Sequence, residues 1–498
     1  MTKLTRRKAL MLGGMAVLAT KTAAAQSNDV RVRENIMTFA KDEAKVTAYR
    51  AGVRKMMDRS KANADDPEGW YYWYASHFTN KAVPPAMQGI YNRCDHSDPR
   101  HGYIAQDFLS WHRAFLLAFE GVLKDAAVAA GNRTEFNLPY WNWYEGPVPS
   151  IFTEGNEIIN PLYHARVSTN VAAGLAHDCF DQMELLTSGD QPGFSLIMEF
   201  DPHGRAHTLV GGDMQTIPRS AQDPIFWVHH ANIDRLWDSW IQLPGRKNPD
   251  PASAWAKKKF AFGHDPNMVW TASELLDTKT NLKYVYDDYK INAPGAPVAP
   301  APAIVLAGTA GGGAMGGGMA GMLPEVWNDP TRSTDVASFH NLKLSNQSVA
   351  VSLPVASADR SHLQAFAVNS EAGPVKSAWI VLNDIRITPD GKEGGFVFSV
   401  RLTSSLPGVK PVTIGDIPSF NLTMPMAGIG DITNGDPFSI TYPLDDYATK
   451  AGIDPAKLGE ALGSLKVNFI AALSKPDDTR TLMTVGEVKL TTSPLSSK

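Results

Sequence analysis

The chain carries thirteen histidines, and ten of them lie between His77 and His230. Neutral imidazole is the commonest metal ligand among side chains and suits copper, zinc, iron and nickel. Spacing separates ligand candidates from ordinary histidines. His203 and His207 stand at i and i+4 in Asp-Pro-His-Gly-Arg-Ala-His, residues 201–207. On a helix such residues share one face with Cβ atoms about 5–6 Å apart, so both rings can reach one ion. His112 lies in Phe-Leu-Ser-Trp-His-Arg-Ala-Phe, residues 108–115, within a largely apolar stretch. A buried neutral imidazole there needs partners for both ring nitrogens. His229 and His230 are adjacent in Asp-Pro-Ile-Phe-Trp-Val-His-His-Ala-Asn-Ile-Asp, residues 223–234. Successive helical side chains point about 100° apart, so only one of this pair can face the same site as His112. Taken singly, each has a plain reading: surface decoration for the i, i+4 pair, a satisfied core imidazole for His112. A zinc hydrolase built on His203 and His207 lacks the glutamate of a His-Glu-x-x-His arrangement. It also leaves His112 and His230 without a role.

The elements that must hold these rings follow from periodicity. Apolar residues recur at helical spacing at Phe108, Leu109, Trp111, Phe115, Leu116, Phe119 and Leu123. The stretch 225–241 reads the same way and opens with Asp223-Pro224, a capping carboxylate followed by a first-turn proline. Residues 30–60 suggest one or two amphipathic helices. Composition changes abruptly after residue 292. Residues 293–303 are rich in Pro and Ala, and 308–321 is almost entirely Gly, Ala and Met. The second run cannot form a packed element and reads as a flexible linker. Met315, Met319 and Met322 are soft ligands for copper(I), although a linker that happens to contain methionine is the plainer reading. Beyond residue 345 the β-rich runs 378–382, 395–402, 466–470 and 484–490, with turns such as Asp390-Gly391, predict a C-terminal β-sandwich.

The amino terminus reads as a targeting segment, residues 1–26. Arg6-Arg7-Lys8 precedes an apolar run that is too short to span a membrane, and Ala23-Ala24-Ala25 forms a small-residue cleavage site. The paired arginines resemble a twin-arginine export signal, which implies a periplasmic or secreted protein. No later segment is apolar enough for a membrane anchor. Net charge is −4, so no basic footprint points to nucleic acid. Only Cys94 and Cys179 occur, which excludes a disulfide framework.

Four motifs together carry a family resemblance. Phe-Leu-Ser-Trp-His-Arg at 108–113, with Phe119-Glu120 following, resembles the first copper-binding stretch of tyrosinases and polyphenol oxidases. Leu-Pro-Tyr-Trp-Asn-Trp at 138–143 resembles the aromatic segment after it. Pro-His-Gly-Arg-Ala-His at 202–207 and Gly-Gly-Asp-Met at 211–214 resemble the start of the second stretch. Residues 223–237 resemble its end. The likeness covers about residues 60–245 and implies a mainly α domain at 27–292, with a four-helix core holding a dinuclear, type-3 copper site. A linker at 293–344 and a β-rich domain at 345–498 follow. It implies oxidation of ortho-diphenols to ortho-quinones, with a small phenol and O2 as partners and O2 reduced to water. Monophenol monooxygenase and ortho-aminophenol oxidase are alternative activities, and an oxygen-binding copper protein is the non-enzymatic one.

Residue by residue, the resemblance assigns His77, a middle histidine and His112 to the first copper, and His203, His207 and His230 to the second. His229 becomes a packing or orienting neighbour. Asp234, one turn after His230, becomes a candidate acceptor for the far proton of a ligand ring. The middle ligand departs from the family spacing, because the position nine residues before His112 is Tyr103. His101 fits with two inserted residues and is the favoured choice. His96, in Cys94-Asp95-His96, is the alternative, and in some family members such a cysteine joins the middle histidine through a thioether. Ile217 stands where family members shape access. Glu199 stands four residues before His203, where a water-holding glutamate is expected, but Gly204 replaces the asparagine that assists it. That replacement predicts weak or absent monophenol hydroxylation.

Overall fold

The computed structural model describes residues 30–78, 94, 106–166, 171, 178–188, 193–263, 265–291, 304–307, 309–310, 334–356, 378–422, 437–444, 447–473 and 479–492. Two apolar cores organise them. One gathers residues from Ile36 to Tyr286, the other residues from Val336 to Leu490.

Helices α1 (Glu43–Ala62), α2 (Trp70–Phe78), α3 (Phe108–Ala129), α4 (Arg205–Val210) and α5 (Ile225–Ile241) build the first core. Asp42 starts α1 by accepting hydrogen bonds from the Ala44 and Lys45 amides, which satisfies two donors that a helix leaves open. α1 lies against α3, and a Cβ added at Gly52 would stand 2.7 Å from the Leu123 carbonyl oxygen, so the approach requires glycine. α3 and α5 are buried on nearly every face, as expected for apolar-all-round helices at the centre of a domain. The Asp223 carboxylate accepts from the Ile225 amide at 3.0 Å, as the sequence predicts for the start of α5, and also pairs with Arg166.

The described residues open with a strand rather than a helix. Arg31–Arg33 is a strand, β1, followed by a short helix at Ile36–Phe39 before α1. β2 (Lys259–Ala261) and β3 (Val269–Thr271) pair as a small ribbon, and β4 (Tyr284–Tyr286) lies parallel to β1. The two ends of the helical domain are thereby tied together over about 250 residues of chain. The tie is also ionic. Arg33 donates to Glu120 on α3 at 2.6 Å and to Asp234 on α5 at 3.3 Å.

The second core is a sandwich of two five-stranded sheets. Its strands are β5 (Ile304–Ala307), β6 (Thr309–Ala310), β7 (Thr334–Leu344), β8 (Val349–Ser352), β9 (Ala378–Ile387), β10 (Phe396–Ser404), β11 (Val412–Pro418), β12 (Phe438–Pro443), β13 (Leu465–Leu473) and β14 (Met483–Thr492). The sheet orders are β11-β10-β13-β8-β5 and β12-β9-β14-β7-β6. Every pairing is antiparallel except β5 with β8. The boundary at 345 needs correction, because β5, β6 and β7 all fall inside the stretch read as linker. Val336, Leu342 and Leu344 of β7 are buried in the sandwich core, and the strand runs the length of β14. The targeting segment, most of the glycine-rich run, and Met315, Met319 and Met322 lie outside the described residues.

Candidate metal centre

The ligand candidates converge from four helical segments. His77 sits in the last turn of α2 and His112 in the second turn of α3. His203 lies in the last turn of a π-helical segment, Glu199–Gly204, which runs into α4 carrying His207. The i, i+4 spacing of His203 and His207 therefore bridges a π-to-α junction rather than a uniform α-helix, and such wide turns often mark functional sites. His229 and His230 lie in the second turn of α5. All six rings are buried, at 2 % exposure or less.

Four of these rings are held through their Nδ1 atoms by backbone carbonyls. His77 Nδ1 lies 3.2 Å from the Ile217 oxygen, and His112 Nδ1 lies 2.8 Å from the Phe108 oxygen. His203 Nδ1 lies 2.8 Å from the Glu199 oxygen, and His207 Nδ1 lies 2.7 Å from the Met214 oxygen. A carbonyl only accepts, so each Nδ1 carries the proton and each Nε2 keeps its lone pair. These contacts assign the tautomer that a metal requires.

The rings form two adjacent groups. His203, His207, His229 and His230 each offer a ligand nitrogen within 4.8 Å of the others, and His77, Cys94 and His112 make a second group on the same criterion. The His77 and His112 Nε2 atoms are 3.4 Å apart, and Cys94 Sγ is 3.6 Å from His112 Nε2. The groups meet where the His112 and His230 rings stack, centroids 4.0 Å apart and 5° from parallel.

Electrostatics keep this cluster neutral. Burial lowers the His229 pKa to about 3. Burial, and then the neighbouring rings of His112, His229, His203 and His207, hold His230 well below the usual imidazole range. Neither nitrogen of His230 has a hydrogen-bond partner among the described residues. A fully buried, unpartnered polar ring is costly, and a metal cation supplies the missing partner for a set of imidazole lone pairs. The donor set therefore fits two metal ions side by side.

The structure places the remaining candidates as follows. His96 and His101 lie outside the described residues, so the middle ligand of the first group stays open between them. Cys94 is buried against that group. His229 faces the second group, its ring 4.6 Å from His207 and 5.0 Å from Trp143. Glu199 is fully buried and meets His203 through its backbone oxygen. Gly204 ends the π-helical segment, and its carbonyl accepts from the Thr208 hydroxyl. Ile217 is buried, orients His77 through its carbonyl and packs against Phe78 and Phe420. Asp234 requires correction: among the described residues its carboxylate meets no imidazole. It is occupied by Arg33, Arg113 and the hydroxyls of Tyr284 and Tyr286. The reason is charge: two buried guanidiniums need a buried anion more than a neutral ring does.

One residue packed against the histidines is invisible in the sequence pattern. Phe420, in the short helix α6 (Ser419–Leu422) of the sandwich domain, is fully buried over the histidines. Its ring stacks on His207 with centroids 4.2 Å apart and meets His203 edge-on at 5.4 Å. Nothing in the local sequence around 420 signals this, because the contact depends on how the two domains dock.

Comparison with known proteins agrees with this geometry. The family model described as the common central domain of tyrosinase matches residues 67–174 and 155–243. The tyrosinase of Streptomyces antibioticus is 31% identical over 204 residues, covering 30% of this chain and 71% of that protein. The tyrosinase HcTyr1 of Hahella sp. (strain CCB-MM4) is 29% identical over 321 residues, 52% of this chain and 63% of that protein. The structure of latent apple tyrosinase superposes with a TM-score of 0.52 at 18% identity, covering 94% of this chain and 98% of that one. The chain thus belongs to the tyrosinase family of type-3 copper proteins, which bind two copper ions, and its paired histidine groups suit that dinuclear site. It spans 63% of the Hahella protein and 41% of a latent polyphenol oxidase of Prunus armeniaca.

Proposed function

We propose that the protein is a copper-dependent oxidase that converts two ortho-diphenols to ortho-quinones for each O2 reduced to two waters, and that it hydroxylates monophenols weakly or not at all. The observation that carries this reading is the contact of two buried, neutral imidazole groups at His112 and His230. His77, His112 and His101 (or His96) would hold one copper, and His203, His207 and His230 the other. Copper, when bound, supplies the two-electron redox chemistry, and the protein supplies geometry and access.

The protein's own part in the reaction is positional. The carbonyls of Ile217, Phe108, Glu199 and Met214 fix ring orientation and tautomer. Apolar walls from Phe108 and Phe226 exclude water, with ring centroids 4.7 Å from His203 and 4.3 Å from His230 respectively. Hydroxylating a monophenol also needs a base to take its proton. Glu199 is the candidate, but Gly204 offers no side-chain acceptor to hold a water beside it. A general base commonly contributes about 10²- to 10⁴-fold, enough to separate the two activities.

The docked sandwich supports latency. Phe420 occupies the face of His207 and His203 where a phenol ring would lie. Several solved relatives of this architecture are described as latent, including apple tyrosinase and an aurone synthase. Export through the twin-arginine-like segment belongs to the same proposal. Haemocyanins of Enteroctopus dofleini are also relatives, at 23% identity over 54% of this chain, which keeps an oxygen-binding role as the second reading.

A substrate panel decides between these readings. Copper-loaded protein, with and without cleavage in the run at 308–321, is given tyrosine, dopa, catechol and an ortho-aminophenol. Catechol and dopa turn over, tyrosine reacts far more slowly, and cleavage raises every rate. Reversible O2 uptake without turnover of any phenol, before and after cleavage, would establish the carrier reading instead.

A further inference from the structure

A single stretch of loop reaches the supports of both halves of the second histidine group. Arg166 takes the Asp223 carboxylate with two hydrogen bonds, Nε to Oδ2 at 2.9 Å and Nη2 to Oδ1, and both side chains are buried. Asp223 is the residue that starts α5, the helix carrying His230. Two residues before Arg166, His164 Nε2 lies 2.6 Å from Oδ2 of Asp213, in the one-turn 3₁₀ helix Gly212–Gln215. The next residue of that turn is Met214, whose carbonyl accepts from His207 Nδ1 at 2.7 Å. Between the two ion pairs the loop backbone lies on the turn itself. Gly212 has a φ of +60°, and a Cβ there would stand 2.4 Å from the Ala165 oxygen. Residues 164–166 thereby fix the support of His207 at one end and the start of the His230 helix at the other.

The two pairs differ in one respect. A guanidinium stays charged at every working pH, so the Arg166–Asp223 pair is constant, whereas an imidazole changes charge near neutrality. The surroundings of His164 favour its charged form. Asp213 faces one ring nitrogen and Glu157 the other, with Glu157 Oε1 4.0 Å from Nδ1. Asp223 and Arg166 lie behind them. Arg219, on the short helix Ile217–Ser220, also pairs with Asp213, and Tyr74 of α2 lies near both. The Arg219 side chain is 64 % exposed, so solvent screens its share of the pair. Burial opposes charge on His164, but the hydrogen bond to Asp213, and then the charges of Asp223 and Asp213, outweigh it and raise the pKa above the ordinary imidazole value. The charged ring makes a hydrogen bond about twice as strong as the neutral one. A raised pKa means that this contribution is full at low pH and is lost as pH rises through the folded value.

From this geometry we infer that His164 is a positioning residue for the second metal: charged, it anchors Asp213 and with it the Met214 carbonyl that orients His207, and neutral, it lets that support loosen. The inference rests on the metal-centre reading above and is the same for an oxidase and for an oxygen carrier. Its consequence is a pH dependence confined to the second metal. The first metal does not share it, because His77 and His112 are oriented by the carbonyls of Ile217 and Phe108.

The test uses the full chain in two copper-loaded backgrounds, His112→Ala to leave copper in the second group alone and His230→Ala to leave it in the first alone. Copper release to an excess of chelator and the copper(II) paramagnetic resonance spectrum are followed from about pH 5.5 to about pH 8.5, across the imidazole range. His164→Gln keeps a hydrogen-bonding group without the charge, and His164→Lys keeps a charge at every pH. In the His112→Ala background, His164→Gln should release copper about 10-fold faster at the acid end, the lower end of the scale for a partner beyond the ligands themselves. The gap should close at the alkaline end, where His164 has lost its own proton. His164→Lys should remain slow throughout, and the resonance spectrum should follow the same pattern. In the His230→Ala background, His164→Gln should change nothing. Faster release in both backgrounds, which is a general loosening of the fold, overturns the inference. So does a gap that is absent or independent of pH. If neither background holds copper, the metal-centre reading fails, and the metal-free parent chain decides the role of His164 by nitrogen NMR. The His207 Nδ1 proton should then exchange with water faster in His164→Gln than in the parent at the acid end and equally at the alkaline end, and equal exchange at both ends refutes the positioning role.

Discussion

Removing the Phe420 ring is the sharpest test of the proposed latency. The side chain is fully buried, and its contacts to His207, His203, Ile217 and Phe78 all cross to the helical domain. Truncating a buried phenylalanine to alanine costs about 3–5 kcal/mol in a well-packed core. Taking the lower end for a contact between domains, about 3 kcal/mol, the ratio of open to closed protein rises by roughly 100-fold. The assay is initial oxidation of 4-methylcatechol by copper-loaded protein without protease or detergent. Phe420→Ala should approach the rate of wild-type protein cleaved in the 308–321 run, and cleavage of the variant should add little. Phe420→Leu, which keeps most of the apolar volume, should fall between. Copper content measured on the same samples separates opening from altered loading. If Phe420→Ala retains its copper, remains as slow as uncleaved wild type and is activated equally by cleavage, the ring does not hold the site shut.

Other consequences are equally direct. His101→Ala should abolish oxidation and lower copper content by about half, while His96→Ala keeps much of the activity; the reverse pattern moves the ligand to His96, and a peptide two mass units low joining Cys94 to a histidine reveals a thioether. Gly204→Asn should raise the monophenol rate relative to the diphenol rate, read as the ratio of tyrosine to dopa turnover, and an unchanged ratio removes the argument from Gly204. Burial opposes ionisation of Glu120, but Arg33 and then Lys124 hold its pKa down to about 2. Its folded pKa lies below the unfolded value, so the ion pair stabilises the protein above about pH 4.5 and loses that effect as pH falls toward 2; against Glu120→Gln the difference should be about 3 kcal/mol at pH 6 and shrink below pH 4. A stability difference independent of pH from 6 to 3 would contradict that ionic role.

Legibility in the sequence followed the range of the interaction. His112, His203, His207 and His230 could be read because helical spacing and short motifs fix them locally. The sandwich was legible from alternating β-rich runs, but β7 was absorbed into the linker because it directly follows a run with no packing pattern. Asp234 could be placed one turn from His230, yet its real partners come from residues as distant as Arg33 and Tyr286. A carboxylate one turn from a ligand looks like an orienting group until two buried arginines claim it. Phe420 was beyond reach for a related reason. Its contact with the histidines arises only when the domains dock, and a phenylalanine in a four-residue helix carries no mark of the surface it will meet.

The central claim is that two buried histidine groups hold a copper pair that oxidises diphenols. Copper content per chain, measured together with catechol turnover on the full protein and on the His112→Ala and His230→Ala variants, tests it most directly. The account predicts two coppers and turnover in the parent, and one copper with no turnover in each variant. A parent saturating at a single copper, or either variant turning over catechol at the parent's rate, would contradict it.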